Sequence, residues 1–343
     1  MLKNNVFYYD DSKQYYSRYD AVVNSPDPSK LKFYFYDDVF LAQDWSKEPI
    51  ESLKELYKQR AEYLRAKYDY LVVCYSGGID STNVLESFYY NNIHIDEILI
   101  VGAFSKDLNS YSDENHNLEI YKNVFPVLSE MNLTNTAINV IDYVSLFDNP
   151  YQLEITKLDN WPKYIGTHFS PHNFFWYEVD RHVLCKKPSA SIGIIFGADK
   201  PLITKSLEAY FNDTGCLGYG RTTLDSNNNV SKINFYTDPE AFKLMLKQYH
   251  ILKNFYKLHS KVQETKINPT SITEKLIYKV NHPLVYKSSK SPTVLYSLRD
   301  QYLKKATSST LFDFYAKGIN TIRCSKTAAF LGNGIISTRK YTL

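Results

Sequence analysis

The sequence predicts an α/β protein built on a doubly wound parallel sheet, with a helical C-terminal half and a short β-rich N-terminal extension. Three observations carry the expectation. Uninterrupted apolar runs such as Tyr70-Leu71-Val72-Val73-Cys74-Tyr75 have the composition of strands buried on both faces. These runs alternate with segments whose apolar residues recur at helical spacing, the order that βαβ units produce. A glycine-rich loop, Ser76-Gly77-Gly78-Ile79-Asp80-Ser81, joins the first such run to the helix that follows it.

Taken in chain order, residues 1–45 mix aromatic runs (Phe7-Tyr8-Tyr9, Phe33-Tyr34-Phe35-Tyr36) with Asp- and Pro-containing breaks, the pattern of short strands or a meander. Over 48–67, Leu53, Leu56, Tyr57, Ala61 and Leu64 recur among Lys, Glu and Arg, which predicts an amphipathic helix. The strand at 70–75, a helix over 82–90 and a strand over 95–103 then make one βαβ unit around the loop. A helix over 114–131 and a strand over 137–141 continue the alternation, with right-handed crossovers expected. A further strand over 191–196 runs into Gly197-Ala198-Asp199-Lys200, and 215–229, with Gly218, Gly220 and three consecutive Asn, reads as a mobile loop. Beyond 238 the segments 241–259, 272–280 and 294–306 carry helical spacing with no intervening strand. The expected organisation is an extension over 1–47, an α/β domain over 48–237 and a helical region over 238–343 that completes the site.

Composition sets the class. Hydrophobic residues at 44% and charged residues at 22% over 343 residues give enough apolar surface for a large core and exclude a disordered chain. A net charge of +3 offers no global field for a polyanion, although a local basic groove stays open. The 31 tyrosines read as compositional habit and amphipathic packing before base stacking. Cys74, Cys185, Cys216 and Cys324 are dispersed, with no Cys-x-x-Cys pair, which argues against a disulfide framework and a zinc site. With no apolar run long enough to span a bilayer and no apolar leader after Met1, a cytoplasmic protein without membrane contact is expected.

The loop is where chemistry concentrates. Two glycines let backbone approach an anion closely, and the N–H groups of the loop and first helical turn point at it along the helix dipole. Ser76 and Ser81 add hydroxyl donors. Asp80 would be repelled by bare phosphate, so its place in such a loop makes sense chiefly as a Mg²⁺ ligand. No P-loop lysine follows, and no His–Asp pattern supports a serine nucleophile.

With this strand–Ser-Gly-Gly-x-Asp-Ser–helix arrangement the sequence resembles the PP-loop, or N-type, ATP pyrophosphatases, closest to the synthetase domain of asparagine synthetase and β-lactam synthetase. Two further stretches carry the resemblance. Gly197-Ala198-Asp199-Lys200 resembles the family's second Gly-x-Asp-Glu loop, and Arg323-Cys324-Ser325-Lys326-Thr327-Ala328-Ala329-Phe330-Leu331-Gly332-Asn333-Gly334 resembles its segment written roughly Arg-x-Lys-x-x-Phe-x-x-Gly. Asp113-Glu114 echoes the family more weakly. The resemblance spans 48–335 and implies a HUP-type fold, ATP and Mg²⁺ as cofactors, and cleavage to AMP and pyrophosphate. By that match Asp80 and Asp199 become metal ligands, Lys326 the catalytic cation, and Val73, Ser76, Gly77, Gly78, Asp80, Ser81, Val101, Gly197 and Lys326 the nucleotide contacts.

The sequence also departs from that family. Leu2 stands where a glutaminase domain would carry its cysteine nucleophile, so glutamine hydrolysis is not expected. Phe196 and Lys200 replace acidic residues of the second loop, which points to a changed acceptor site; Lys200 binds an anionic group of the second substrate or pairs with a nearby acid. Asp199-Lys200 before Pro201 also fits an ordinary helix start. His168 and His172 are four apart, but Pro171 breaks the helix between them, favouring packing or substrate contact over a metal; Glu178, Asp180 and Arg181 fit a solvated helix face. The expected reaction adenylates a small-molecule carboxylate or amide oxygen, after which an amine or ammonia displaces AMP. Two alternatives stand beside it: adenylation of a nucleobase, with the Lys- and Tyr-rich 253–261 stretch on nucleic acid, and a nucleotide-binding module without turnover.

Overall fold

The computed structural model describes residues 6–15, 24–27, 30–102, 118–142, 179, 182–183, 189–197, 202–203, 209–212, 229–258, 276–282, 284 and 338–341. Its first strands, β1 (Val6–Tyr9), β2 (Gln14–Tyr15) and β3 (Lys32–Phe35), form an antiparallel sheet with β1 in the middle. Asp10 shapes the turn after β1, its carboxylate accepting from the Ser12 N–H at 2.8 Å and the Lys13 N–H at 3.1 Å. A short helix, α1 (Asp37–Leu41), closes this extension, and the Trp45 indole donates to the Phe40 carbonyl at 2.7 Å.

Helix α2 (Leu53–Lys67) starts at a reciprocal cap: the Ser52 hydroxyl accepts from the Glu55 N–H, and the Glu55 carboxylate accepts from the Ser52 N–H at 2.7 Å. Its buried residues, Leu53, Leu56, Tyr57, Arg60, Ala61 and Leu64, lie at the helical spacing read from sequence. At its far end Arg65 pairs with Asp96 at 2.5 Å, and the same carboxylate accepts from the Leu71 N–H at 2.8 Å. The helix is thereby tied to the strand that follows, β4 (Tyr70–Cys74).

Strand β4 is the centre of a five-stranded, wholly parallel sheet. With β5 (Glu97–Gly102), β6 (Ala137–Asp142), β7 (Ile192–Phe196), a short antiparallel pair β8 (Leu202–Ile203) and β9 (Ala209–Asn212), and then β10 (Val230–Asn234), the sheet order is β10-β7-β4-β5-β6. The chain builds outward from β4 through β5 to β6, then returns to the other side of β4 for β7 and β10. Alternate residues of the apolar strands feed two cores: Leu71, Val73, Ile98, Ile100, Ile195 and Ile233 on one face, Val72, Leu99, Ile192, Ile194 and Val230 on the other. Helix α3 (Ile79–Tyr89) and the helical stretch from Leu118 through α4 (Phe125–Glu130) cover the first face; helical residues Val179 and Val183 cover the second. This is the doubly wound α/β architecture, and it reverses direction between β4 and β7.

The C-terminal region differs in part from the expectation. Helix α5 (Phe242–Leu258) is present and joins the first core through Leu244 and Leu252. The helix expected through Val280 stops at Ile277. The reason is competition for its backbone: the Lys279 N–H donates to the Asn83 amide oxygen at 3.2 Å, and the N–H groups of Asn281 and His282 donate to Glu86 at 2.6 and 2.8 Å. A strand, β11 (Thr338–Tyr341), also lies in this half and pairs antiparallel with β9, so the region is not wholly helical. The segment expected at 294–306 and residues 215–228 of the loop expected at 215–229 fall outside the described residues. Among the described residues no helix is long and apolar enough to cross a membrane.

Candidate functional site

The glycine-rich loop leaves the carboxyl end of β4, in register with the end of β7: Cys74 pairs with Phe196. Helix α3 begins at Ile79, three residues earlier than the sequence pattern predicts, because Gly78 is its N-cap. The Gly78 carbonyl accepts from the Thr82 N–H at 2.9 Å and also from the Thr82 and Ser81 hydroxyls at 2.9 and 3.1 Å. Asp80 and Ser81 therefore sit in the first helical turn, whose N–H groups have no acceptor within the helix and carry its positive end.

Each glycine has its own reason. Gly77 has φ of +82°, in the left-handed region, and a Cβ there would lie 2.7 Å from the Val124 side chain. Its carbonyl accepts from the Asn123 side-chain amide at 3.2 Å, which fixes the loop against the helix from Leu118. Gly78 has an ordinary extended backbone, with φ of −76° and ψ of 163°. Gly78 is half-buried, and a Cβ there would make only ordinary contacts, with the Ser76 hydroxyl at 3.5 Å and a Glu119 carboxylate oxygen at 3.8 Å, so its immediate neighbours are polar atoms. The Ser76 and Ser81 hydroxyls lie 3.1 Å apart across the loop, and the Ser81 hydroxyl accepts from the Ser76 N–H at 3.3 Å.

Gly197, at the end of β7, touches the same place. A Cβ on it would stand 2.8 Å from the Asp80 carbonyl and 2.8 Å from the Ser81 Cα. Gly197 therefore stands directly against the first turn of α3, at the point where the strand order reverses, the position where open α/β sheets bind ligands. From the other side the Tyr236 hydroxyl donates to the Asp80 carbonyl at 2.7 Å.

The Asp80 side chain is half-buried, and its charge acts on the buried tyrosines Tyr57, Tyr236 and Tyr278. Burial first, then neighbouring charge including that of Asp80, holds the phenols of Tyr236 and Tyr278 well above their ordinary range. Burial also pushes Tyr75, at the floor of the loop, up to about 12. Val73 is fully buried in the first core, and Val101 is half-buried at the end of β5 against the second. Thus the structure brings together Ser76, Gly77, Gly78, Asp80, Ser81 and Gly197. Asp199, Lys326, Lys200, Asp113, Glu114, His168, His172, Glu178, Asp180 and Arg181 lie outside the described residues.

Three residues at the site carry no sequence motif. Asn123 holds the Gly77 carbonyl, Glu119 borders Gly78, and Tyr236 fastens the Asp80 carbonyl. One signal does exist for the first: Asn123 is a polar residue inside the apolar stripe of Ile120, Val124, Val127 and Leu128. Comparison of the chain with protein-family models and with curated proteins finds no match.

Proposed function

We propose that this protein binds ATP with Mg²⁺ and cleaves it between the α and β phosphates, adenylating a carboxylate or amide oxygen that an amine or ammonia then attacks. The observation that carries this is the half-buried, polar-bordered Gly78 at the positive end of α3, with Gly197 at the end of β7 packed against the same helical turn. Pyrophosphate cradles need close backbone approach, hydroxyl and N–H donors and a helix N-terminus; Gly77, Gly78, Ser76, Ser81 and the first turn of α3 support that reading. The strand order, with its reversal between β4 and β7, supports the PP-loop kind of doubly wound sheet.

Among the described residues no group of three or more His, Cys, Asp or Glu gathers to hold a metal. In this proposal Mg²⁺ arrives on the triphosphate and keeps one or two protein carboxylates, the usual arrangement for this ion. In this proposal Asp80 and Asp199 are those carboxylates, and Lys326 steadies the charge that develops on the phosphates.

The test is product identity. Protein, ATP, Mg²⁺ and a panel of carboxylate, amide and nucleobase acceptors should release pyrophosphate and AMP. Release of ADP and orthophosphate would refute the reaction, and metal-dependent ATP binding without AMP from any acceptor would make the chain a nucleotide-binding module instead.

A further inference from the structure

Glu119 stands out among the acidic residues of the described structure. Its carboxylate borders Gly78, opposite the Ser76 hydroxyl, and it has no hydrogen-bond or ion-pair partner among the described residues. The chain bends into a π turn, Ile120–Val124, immediately after it. Such turns shift the register of side chains on a helix and recur at functional sites. Here the turn directs Asn123 to the Gly77 carbonyl, one turn away from Glu119 at Gly78. Two side chains of one irregular helix thus address the two glycines of the loop.

A carboxylate facing an anion cradle is a contradiction unless a proton or a cation resolves it. Asp80, in the loop itself, exerts its charge on Tyr57, Tyr236 and Tyr278, whereas Glu119 exerts its own on Tyr75. Resting on the nucleotide function proposed above, we propose that Glu119 meets the bound phosphate as a neutral acid, its O–H donating a hydrogen bond to a phosphate oxygen, so that anion binding takes up a proton.

The surroundings agree. Burial alone pushes the Glu119 carboxyl up to about 7. Tyr75, at the end of β4, is the titratable group that feels Glu119, and Glu86 of α3 acts on the same phenol. No lysine, arginine or second carboxylate among the described residues shifts Glu119 itself. An arriving polyanion would raise its proton affinity further.

The test is calorimetric titration of inorganic pyrophosphate into the wild-type chain and Glu119→Gln, at several pH values, in buffers of different ionisation enthalpy, with and without Mg²⁺. Glutamine keeps the shape and supplies an N–H donor at any pH. The wild type should take up close to one proton more than the variant at pH 8 and almost none more at pH 5.5. At pH 8 the variant should bind about tenfold more tightly, since each unit above the carboxyl pKa costs the wild type about a factor of ten. Equal affinities and equal proton counts would overturn the role of Glu119 while leaving the loop intact as the anion site. So would a variant that loses affinity only when Mg²⁺ is present, because the carboxylate would then be holding the cation. Pyrophosphate bound by neither protein would instead overturn the nucleotide function, and this inference with it.

Discussion

Replacing Gly78 by alanine separates a cradle from an ordinary turn. Its backbone, with φ of −76° and ψ of 163°, is one any residue adopts, and the nearest atoms to the new methyl stand at 3.5 and 3.8 Å, ordinary contact distances. Two small effects on folding oppose each other. Alanine restricts the unfolded chain, worth about 0.4–1 kcal/mol, and it is a poorer N-cap than glycine by a similar amount. The melting temperature should therefore stay within about 3 °C of wild type, since 1 kcal/mol moves a domain of this size by roughly that much. Binding should respond differently. The methyl fills the space between the Ser76 hydroxyl and Glu119, where a phosphate oxygen would accept from the loop. Losing one hydrogen bond to a charged group costs about 1.5–3 kcal/mol, or roughly ten- to a hundredfold in affinity. Calorimetry with ATP and Mg²⁺, alongside thermal melting of the same samples, measures both quantities. A Gly78→Ala protein that melts like wild type and binds ATP within threefold of it would refute the placement of the phosphates over this glycine.

The neighbouring glycines behave in the opposite way. Gly77→Ala places a side chain at φ of +82° and 2.7 Å from Val124, so it should cost about 1–3 kcal/mol of stability in urea unfolding, and an unchanged midpoint would contradict the strain read there. Glu86→Ala removes a carboxylate that is 3% exposed and accepts from the backbone N–H groups of Asn281 and His282, from the Asn281 amide at 2.9 Å and bonds the His282 ring at 2.8 Å. It should cost about 3 kcal/mol and open 276–282 to limited proteolysis; wild-type protease resistance would show that the segment is held elsewhere. The Glu119 carboxyl, raised by burial from 4.5 to about 7, disfavours ionisation in the folded state. Its contribution to stability is fully present below pH 4.5 and is lost as pH rises through about 7. Relative to Glu119→Gln, the wild type should lose up to about 3 kcal/mol across that window, and a stability difference flat in pH would remove the burial argument.

The parts of the fold legible in sequence are those where one physical demand dominates. Strand β4 is apolar on both faces because both faces are covered, and α2 shows a clean stripe because one face meets solvent. The turn of the loop is legible through Gly77, whose left-handed backbone few other residues adopt. Strand β10 was not, since Ser231, Lys232 and Asn234 interrupt its apolar pattern; it is the sheet's outermost strand on that side, and its pairing with β7 is carried by backbone. The end of the helix at Ile277 was equally hidden, because it depends on acceptors supplied by Asn83 and Glu86, nearly two hundred residues earlier in the chain. Glu119, Asn123 and Tyr236 escaped for the same reason: their roles come from what the fold places opposite them.

That same long-range fastening bears on how the loop could work. The Asp80 carbonyl is held by Tyr236 from one side and pressed by Gly197 from the other. The Gly77 carbonyl is held by Asn123, and Asn83 of the same helix donates to the Tyr236 hydroxyl at 3.1 Å while its amide oxygen accepts from the Lys279 N–H. The start of α3 is therefore fixed by β7, β10's continuation, the helix from Leu118 and the 276–282 segment before any anion arrives. N–H groups fixed in this way need not reorganise when charge develops on a bound phosphate, which is the condition under which backbone dipoles stabilise a transition state most. The contact between Gly197 and α3 also means that a side chain at Gly197 must push on the first turn of that helix, so Gly197→Ala should weaken anion binding in calorimetry without itself touching the anion.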